Sequence, residues 1–219
     1  MEIYFVRHGK TEWNLERRFQ GGHGDSHLLP ESYADIEKLG KYLRKTKFRA
    51  VYASPLERAR TTALKLEEAM NCSLPVHIDE RLREMNLGKM EGEKFDKIAE
   101  LYPEQIDDFW HHPEKFDAAS IDAESYPHAM ERGLSFGREM SMKYPGKEDK
   151  ILVVSHGAVL SAIMGALLGY DVKHVRQNGV IYNTSVTILA SRPDGQYFDL
   201  VKWSDVTPLG KQMSETDGL

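Results

Sequence analysis

The sequence predicts an α/β fold: a mostly parallel central sheet with helices on both faces and a helical cap inserted over it. Three observations carry this. Short apolar runs at Ile3–Val6, Ala50–Ala53 and Ile151–Val154 have the length and β-branched content of interior strands. Helical patterns lie between them, so strand and helix alternate, and such alternation implies crossover connections and parallel pairing. The segment from about Glu91 to Glu124 breaks the rhythm with helical pieces, two prolines and several aromatics.

Glu31–Lys45 and Pro55–Met70 read as the first two helices, with Pro55 in a first turn, where a missing N–H costs nothing. Ile151–Tyr170 carries no Lys, Arg, Asp or Glu over a length that spans a bilayer. A polar turn, Ser155-His156-Gly157, divides it, so a buried strand feeding a buried helix is expected and no membrane span. Gly165 and Gly169 then serve close packing of that helix on the sheet. Val186–Ala190 and Tyr197–Lys202, separated by Arg192-Pro193-Asp194-Gly195, form a hairpin closing the sheet edge. The polar tail after Ser204 is expected to fray. No internal repeat is visible, so residues 1–219 are expected to form a single domain with the cap at about 91–124 as an elaboration.

Composition narrows the function. Hydrophobic residues make up 41% of the chain and charged residues 29%, which fits a globular protein and excludes collagen-like or disordered classes. A net charge of −5 argues against nucleic-acid binding. Cys72 is the one cysteine, so neither an intramolecular disulfide nor a cysteine-rich metal site is possible. The apolar run at Ile3–Val6 is too short for a signal peptide, and a cytoplasmic protein is expected. Oligomeric state is not encoded in any pattern seen here.

Ligands of α/β sheets gather at the carboxyl ends of the strands. There the sequence places Arg7-His8-Gly9-Lys10-Thr11, Ser54-Pro55-Leu56-Glu57-Arg58 and Ser155-His156-Gly157. Two arginines and two histidines converging on one point repel one another unless they serve an anion. A phosphate resolves the conflict: guanidinium offers paired donors to its oxygens and imidazole can act as nucleophile.

These residues resemble the histidine phosphatase superfamily, which includes phosphoglycerate mutase-like enzymes and many small phosphatases. Arg7–Thr11 followed by Asn14 is similar to its nucleophile motif, and Tyr52–Ala59 to its second arginine motif. Leu82-Arg83-Glu84, with Leu87-Gly88 and Glu91-Gly92, resembles the acid-bearing loop; Val154–Gly157 resembles the second histidine motif. The resemblance implies a phosphomonoester hydrolase in which His8 becomes phosphohistidine and Glu84 protonates the leaving oxygen. Arg7, Arg58 and His156 would hold the phosphoryl oxygens, with Asn14, Gln20 and Gly157 as further phosphate or substrate contacts. No metal and no cofactor is expected, and the partner is a small phosphorylated substrate. A cofactor-dependent phosphoglycerate mutase and a non-catalytic phospho-ligand-binding regulator are the alternatives; retention of both His8 and Glu84 tells against the regulator.

Two stretches depart from the family pattern: Gly21–Ser32, and Ala123-Glu124-Ser125. Both are expected to alter the substrate mouth and not the phosphate centre. His23 and His27 fall four apart, but flanking glycines disfavour the rigid helix that a metal pair needs. Across Glu91–Glu124, eleven acids face Lys94, Lys97 and Lys115, a net −8, and no arginine occurs between Arg83 and Arg132. A solvated helix surface explains the acids. The missing arginines favour a phosphatase over a mutase. Phe95, Tyr102, Phe109, Trp110 and Phe116 could line an apolar or stacking pocket, with packing of the cap's core as the default expectation.

Overall fold

The computed structural model describes residues 1–218. Strand β1 (Glu2–Arg7) leads through the single turn α1 (Glu12–Leu15) to α2 (Pro30–Leu43), β2 (Ala50–Ala53), α3 (Glu57–Met70) and β3 (Val76–Ile78). Helices α4 (Phe95–Leu101) and α5 (Pro103–His111) form the cap segment. Then follow α6 (Tyr126–Lys143), β4 (Lys150–Ser155), α7 (Gly157–Leu167), β5 (Val186–Ser191) and β6 (Phe198–Asp205).

The sheet order is β3-β2-β4-β1-β5-β6. Strands β1 to β4 pair in parallel, while β5 runs antiparallel to β1 and β6 antiparallel to β5. Alternate side chains supply two cores, as the period of two requires. Ile3, Phe5, Ile151 and Val153 pack with Phe136 and Met140 of α6 and Ile163 of α7. Tyr4, Val6, Leu152 and Val154 pack with Ile36 and Leu39 of α2 and Leu66 of α3. Helices therefore cover both faces. The register Val6↔Val154 and Ala53↔Val154 brings the carboxyl ends of β1, β4 and β2 level, so the residues that follow them emerge side by side.

The structure corrects several sequence expectations. Helix α3 starts at Glu57, not Pro55, because Leu56 is extended (φ −71°, ψ 141°) and its N–H donates to Ser54 Oγ. That delay puts Arg58 in the first turn. The edge strand β3, only three residues long, has too little pattern to be read from sequence. Gly165 packs against Val175 and not against the sheet. Gly169 ends α7 in the left-handed region at φ +79°, with Tyr170 N–H donating to Gly165 O at 2.9 Å and Gly169 N–H to Ala166 O at 3.1 Å, a Schellman closure. Among the described residues no helix is long and apolar enough to cross a membrane.

As far as Gly218, the last described residue, the tail packs and does not fray. Leu209 is buried, and a capping box at Ser214 starts a 3₁₀ turn at Glu215–Asp217. Asp217 pairs with Lys10 at 3.2 Å, and its carbonyl accepts from Asn183 N–H at 2.8 Å. The tail is pinned to the segment just after β1.

Candidate active site

A cavity of about 370 Å³ opens at the carboxyl ends of β1 and β4. Arg7, His8, Asn14, Gln20, Glu84 and Gly157 all line it. Arg58 and His156 lie buried directly behind, and the rings of His8 and His156 are 5.1 Å apart. The structure thus brings together every residue singled out from the sequence for the centre.

His8 is placed by the strand that precedes it: its N–H donates to Ser155 O at 2.9 Å, and its carbonyl accepts from Asn183 Nδ2 at 3.0 Å. Its Nδ1 is 2.8 Å from Gly9 O. A carbonyl only accepts, so Nδ1 carries the hydrogen and Nε2 keeps its lone pair. Burial, then the charges of Arg58 and Arg7, hold the ring well below the ordinary histidine range, which keeps it neutral. His156 is depressed for the same reasons, burial first. Its Nε2 lies 2.6 Å from Ser54 Oγ. That hydroxyl also accepts from Leu56 N–H, and the other ring nitrogen of His156, Nδ1, is buried with no protein partner.

Arg7 Nη1 donates to Ile181 O at 2.7 Å, and burial brings this guanidinium down to about 10, with Glu84 opposing. Gly157 allows the approach: a Cβ there would stand 3.2 Å from the Arg7 guanidinium carbon. Glu84 sits at the N-terminus of α7, where its oxygens accept from Ala158 N–H at 3.1 Å and Val159 N–H at 2.7 Å, and from Met85 N–H at 2.8 Å. The helix start fixes the carboxyl group beside the cavity. Glu80 is engaged with Arg83, and Glu91 accepts from the amides of His23, Gly24 and Leu87, so neither competes for that place. Asn14 caps α1 together with Thr11, and Gln20 accepts from Thr11 Oγ1 at 2.8 Å.

The Gly21–Pro30 loop reaches farther than its sequence suggests. It wraps the Glu91 carboxylate, and a Cβ at Gly21 would overlap that group. From this loop Gly21 O and Gly24 O accept from Arg58 at 3.1 and 2.9 Å, and Asp25 pairs with Arg58 at 2.9 Å. Asp25 also accepts from Glu57 N–H at 2.7 Å. The departure thus bears on the phosphate centre, contrary to expectation: it orients Arg58. His23 and His27 are exposed in this loop, and among the described residues no group of three or more metal-ligating side chains forms.

The far wall also differs from expectation. Phe95, Phe109 and Trp110 pack in the core as expected and border the cavity too. No cap acid does; most face solvent. Two arginines from outside the cap, Arg18 and Arg176, line the same space. The inference that the wall lacks cationic equipment is overturned, because the fold delivers it from distant sequence. Arg176 sits in Lys173-His174-Val175-Arg176-Gln177, which carries no motif.

A sheet of this order, with two histidines and two arginines gathered where its strands end, matches a known family. The model of the histidine phosphatase superfamily (branch 1) covers residues 3–206, and the chain belongs to that superfamily and is an enzyme of that type. An Arabidopsis thaliana relative named metal-independent phosphoserine phosphatase is 31% identical over 212 residues, spanning 95% of this chain and 83% of the relative. A relative from Erwinia tasmaniensis named probable phosphoglycerate mutase is 31% identical over 186 residues, spanning 77% of this chain and 75% of the relative. The solved structure of Bacillus stearothermophilus YhfR superposes with a TM-score of 0.86 at 33% identity, covering 95% of this chain and 98% of that one.

Proposed function

We propose that the protein is a cytoplasmic, single-domain phosphomonoester hydrolase with a cap at about 91–124, acting on a small phosphorylated substrate through a phosphohistidine on His8. One observation carries the reading: Nδ1–H of a neutral His8 is held by Gly9 O, which frees Nε2 beside Arg7 and Glu84 in an open cavity. The Nε2 lone pair forms the P–N bond as the ester P–O bond breaks in line. Glu84 delivers its proton to the departing oxygen. In the second half, water attacks phosphorus, its proton passes to Glu84, and the P–N electrons return to Nε2. Arg7 and Arg58, with the His156 ring, hold the equatorial oxygens, a task that needs positioning and fixed charge but no divalent ion. Gly157 leaves room for that oxyanion, and Asn14 and Gln20 contact it from the α1 side. Cys72, the lone cysteine, suits a reducing compartment.

Phosphatase is favoured over mutase because His8 and Glu84 suffice for transfer to water, whereas a mutase must also retain a doubly phosphorylated intermediate. Incubation with a ³²P-labelled phosphomonoester and acid-free denaturation should trap label on the protein, stable in base and lost in acid. His8→Ala should abolish both label and turnover. An acid-stable label, or an active His8→Ala protein, would remove His8 as the nucleophile.

A further inference from the structure

The departing segment Ala123-Glu124-Ser125 does not line the catalytic cavity; it meets the back of the loop that carries Glu84. Glu124 lies just before α6, and Arg132 lies on the second turn of that helix. Nε and Nη2 of Arg132 grip the two carboxylate oxygens of Glu124, each at 2.8 Å. Both hydrogens of Nη1 are then left for the loop, and Nη1 donates to Arg81 O at 2.5 Å and to Arg83 O at 2.8 Å. Arg83 immediately precedes the acid. On the other side of the acid, Glu124 N–H donates to Asn86 O at 2.7 Å, and Asn86 Nδ2 donates to Asp122 O at 3.0 Å. Ser155, at the end of β4, adds a tie from Oγ to Leu82 O at 2.7 Å.

The loop needs such ties. Its one regular piece before the acid is the 3₁₀ turn Glu80–Leu82, and residues 83 to 87 belong to no helix or strand. Backbone without a ladder of its own takes its position from the side chains that satisfy it. The α7 amides receive the Glu84 carboxylate, but they fix it in place only if the backbone behind it is held as well. Arg132 and Glu124 are mostly buried, and desolvation offsets much of the attraction in such a pair, whereas the planar fork fixes a direction. Burial alone raises the Glu124 carboxyl, but Arg132 and then His128 take it below the usual carboxylate range, so the fork stays charged on both sides.

We propose that Arg132, locked by Glu124, is a positioning residue for the catalytic acid: it holds the backbone just before Glu84 and so keeps that carboxyl group within reach of the leaving oxygen. This rests on the phosphomonoesterase reading above. Neither Arg132 nor Glu124 lines the catalytic cavity, so the fork acts through Glu84. The charge of Arg132 also adds to the depression of His156, and Arg132→Lys separates the two effects by keeping the charge and losing the fork.

The readouts are kcat and KM for O-phosphoserine, an alkyl ester, and for p-nitrophenyl phosphate, together with the ¹H–¹⁵N resonances of Ala158 and Val159. Those two N–H groups report on the Glu84 carboxylate without turnover. Arg132→Met should cut kcat for the alkyl ester by about ten- to a hundredfold, as a displaced reacting group warrants, and kcat for the aryl ester by less than about threefold. Arg132→Lys should lose nearly as much, and Glu124→Gln, which keeps one hydrogen bond of the fork, should lose less in the same direction. In a Glu84→Gln background Arg132→Met should cost the alkyl ester nothing further, since both changes act on one proton. Both amide resonances should move in Arg132→Met. Alkyl and aryl losses of equal size overturn the proposal, as do a full additional loss in the Glu84→Gln background or unmoved Ala158 and Val159 resonances. If Arg132→Met does not fold, Glu124→Gln carries the same comparisons, because it leaves the charge of Arg132 and the Asn86 tie in place. Failure of the hydrolase reading shows separately, as absent turnover and label in the unaltered protein, and the amide resonances then decide the role of Arg132.

Discussion

The phosphate centre and the leaving-group wall share one cavity but are built differently. Every group of the centre stands within a few residues of a strand end or helix start: His8 after β1, Arg58 in the first turn of α3, His156 before α7, Glu84 against the α7 amides. The wall is assembled from Phe19, Phe95, Phe109, Trp110 and Arg176, drawn from a loop, two cap helices and the segment after α7. Backbone geometry fixes the centre, whereas side-chain packing fixes the wall. The centre therefore tolerates little change of residue type, and the wall is where one phosphatase can differ from another.

The sharpest way to break that division is Glu84→Gln. It keeps the side chain's size, gives up one of the backbone N–H contacts because an amide NH2 cannot accept, and removes the transferable proton, so alkyl esters should slow by about 10²–10⁴-fold while aryl phosphates, whose phenolate departs unaided, slow far less. Equal losses in steady-state assays would deny Glu84 its role as acid. Asp25→Asn is the next largest. Arg58 loses the ion pair at 2.9 Å, and kcat/KM should drop about tenfold for all esters alike, in contrast to the leaving-group selectivity of Glu84→Gln. An effect confined to alkyl esters would tie Asp25 to the acid instead.

The remaining effect is on stability. His8 and His156 are depressed in the folded state, so the unfolded chain binds more protons as the pH falls below 6.5. Stability is fully present above that value and is lost as the pH falls from 6.5 towards the folded-state values, by about 1.4 kcal/mol per pH unit for each ring. Urea titrations between pH 7.5 and 5 should show the slope, and His156→Asn should reduce it. A pH-independent midpoint would mean that the rings are not held neutral.

What the sequence made legible follows the same boundary. Arg7, His8, Arg58 and His156 could be placed because each follows a strand signal, and one strand register levels them; Glu84 has no such signal and was reached only through the resemblance of its loop to the family's acid-bearing motif. Asp25 was missed because its partner Arg58 lies 33 residues away and glycine-rich loops have no periodicity. Arg176 was missed because nothing local marks it; a lone arginine acquires meaning only from the rings that tertiary packing brings around it. The tail did carry a signal, Ser214-Glu215-Thr216-Asp217, whose Ser and Asp are spaced for a capping box, but its polarity outweighed it. Val76–Ile78 is too short for any alternation to show.

Phe109 is 1% exposed, contacts Phe19, Phe116 and Tyr126, and forms cavity wall on its other side. Laboratory evolution toward bulkier substrates meets this ring first, and truncating it to Ala removes about 3–5 kcal/mol, a large part of what holds a fold of this size together. Variants enlarged there would be selected against as insoluble before their new activity could be seen. His111 and Val180 border the same cavity from exposed positions. Libraries seeded at those two positions explore substrate range without drawing on the core, and natural divergence within the family has the same cheap path open to it.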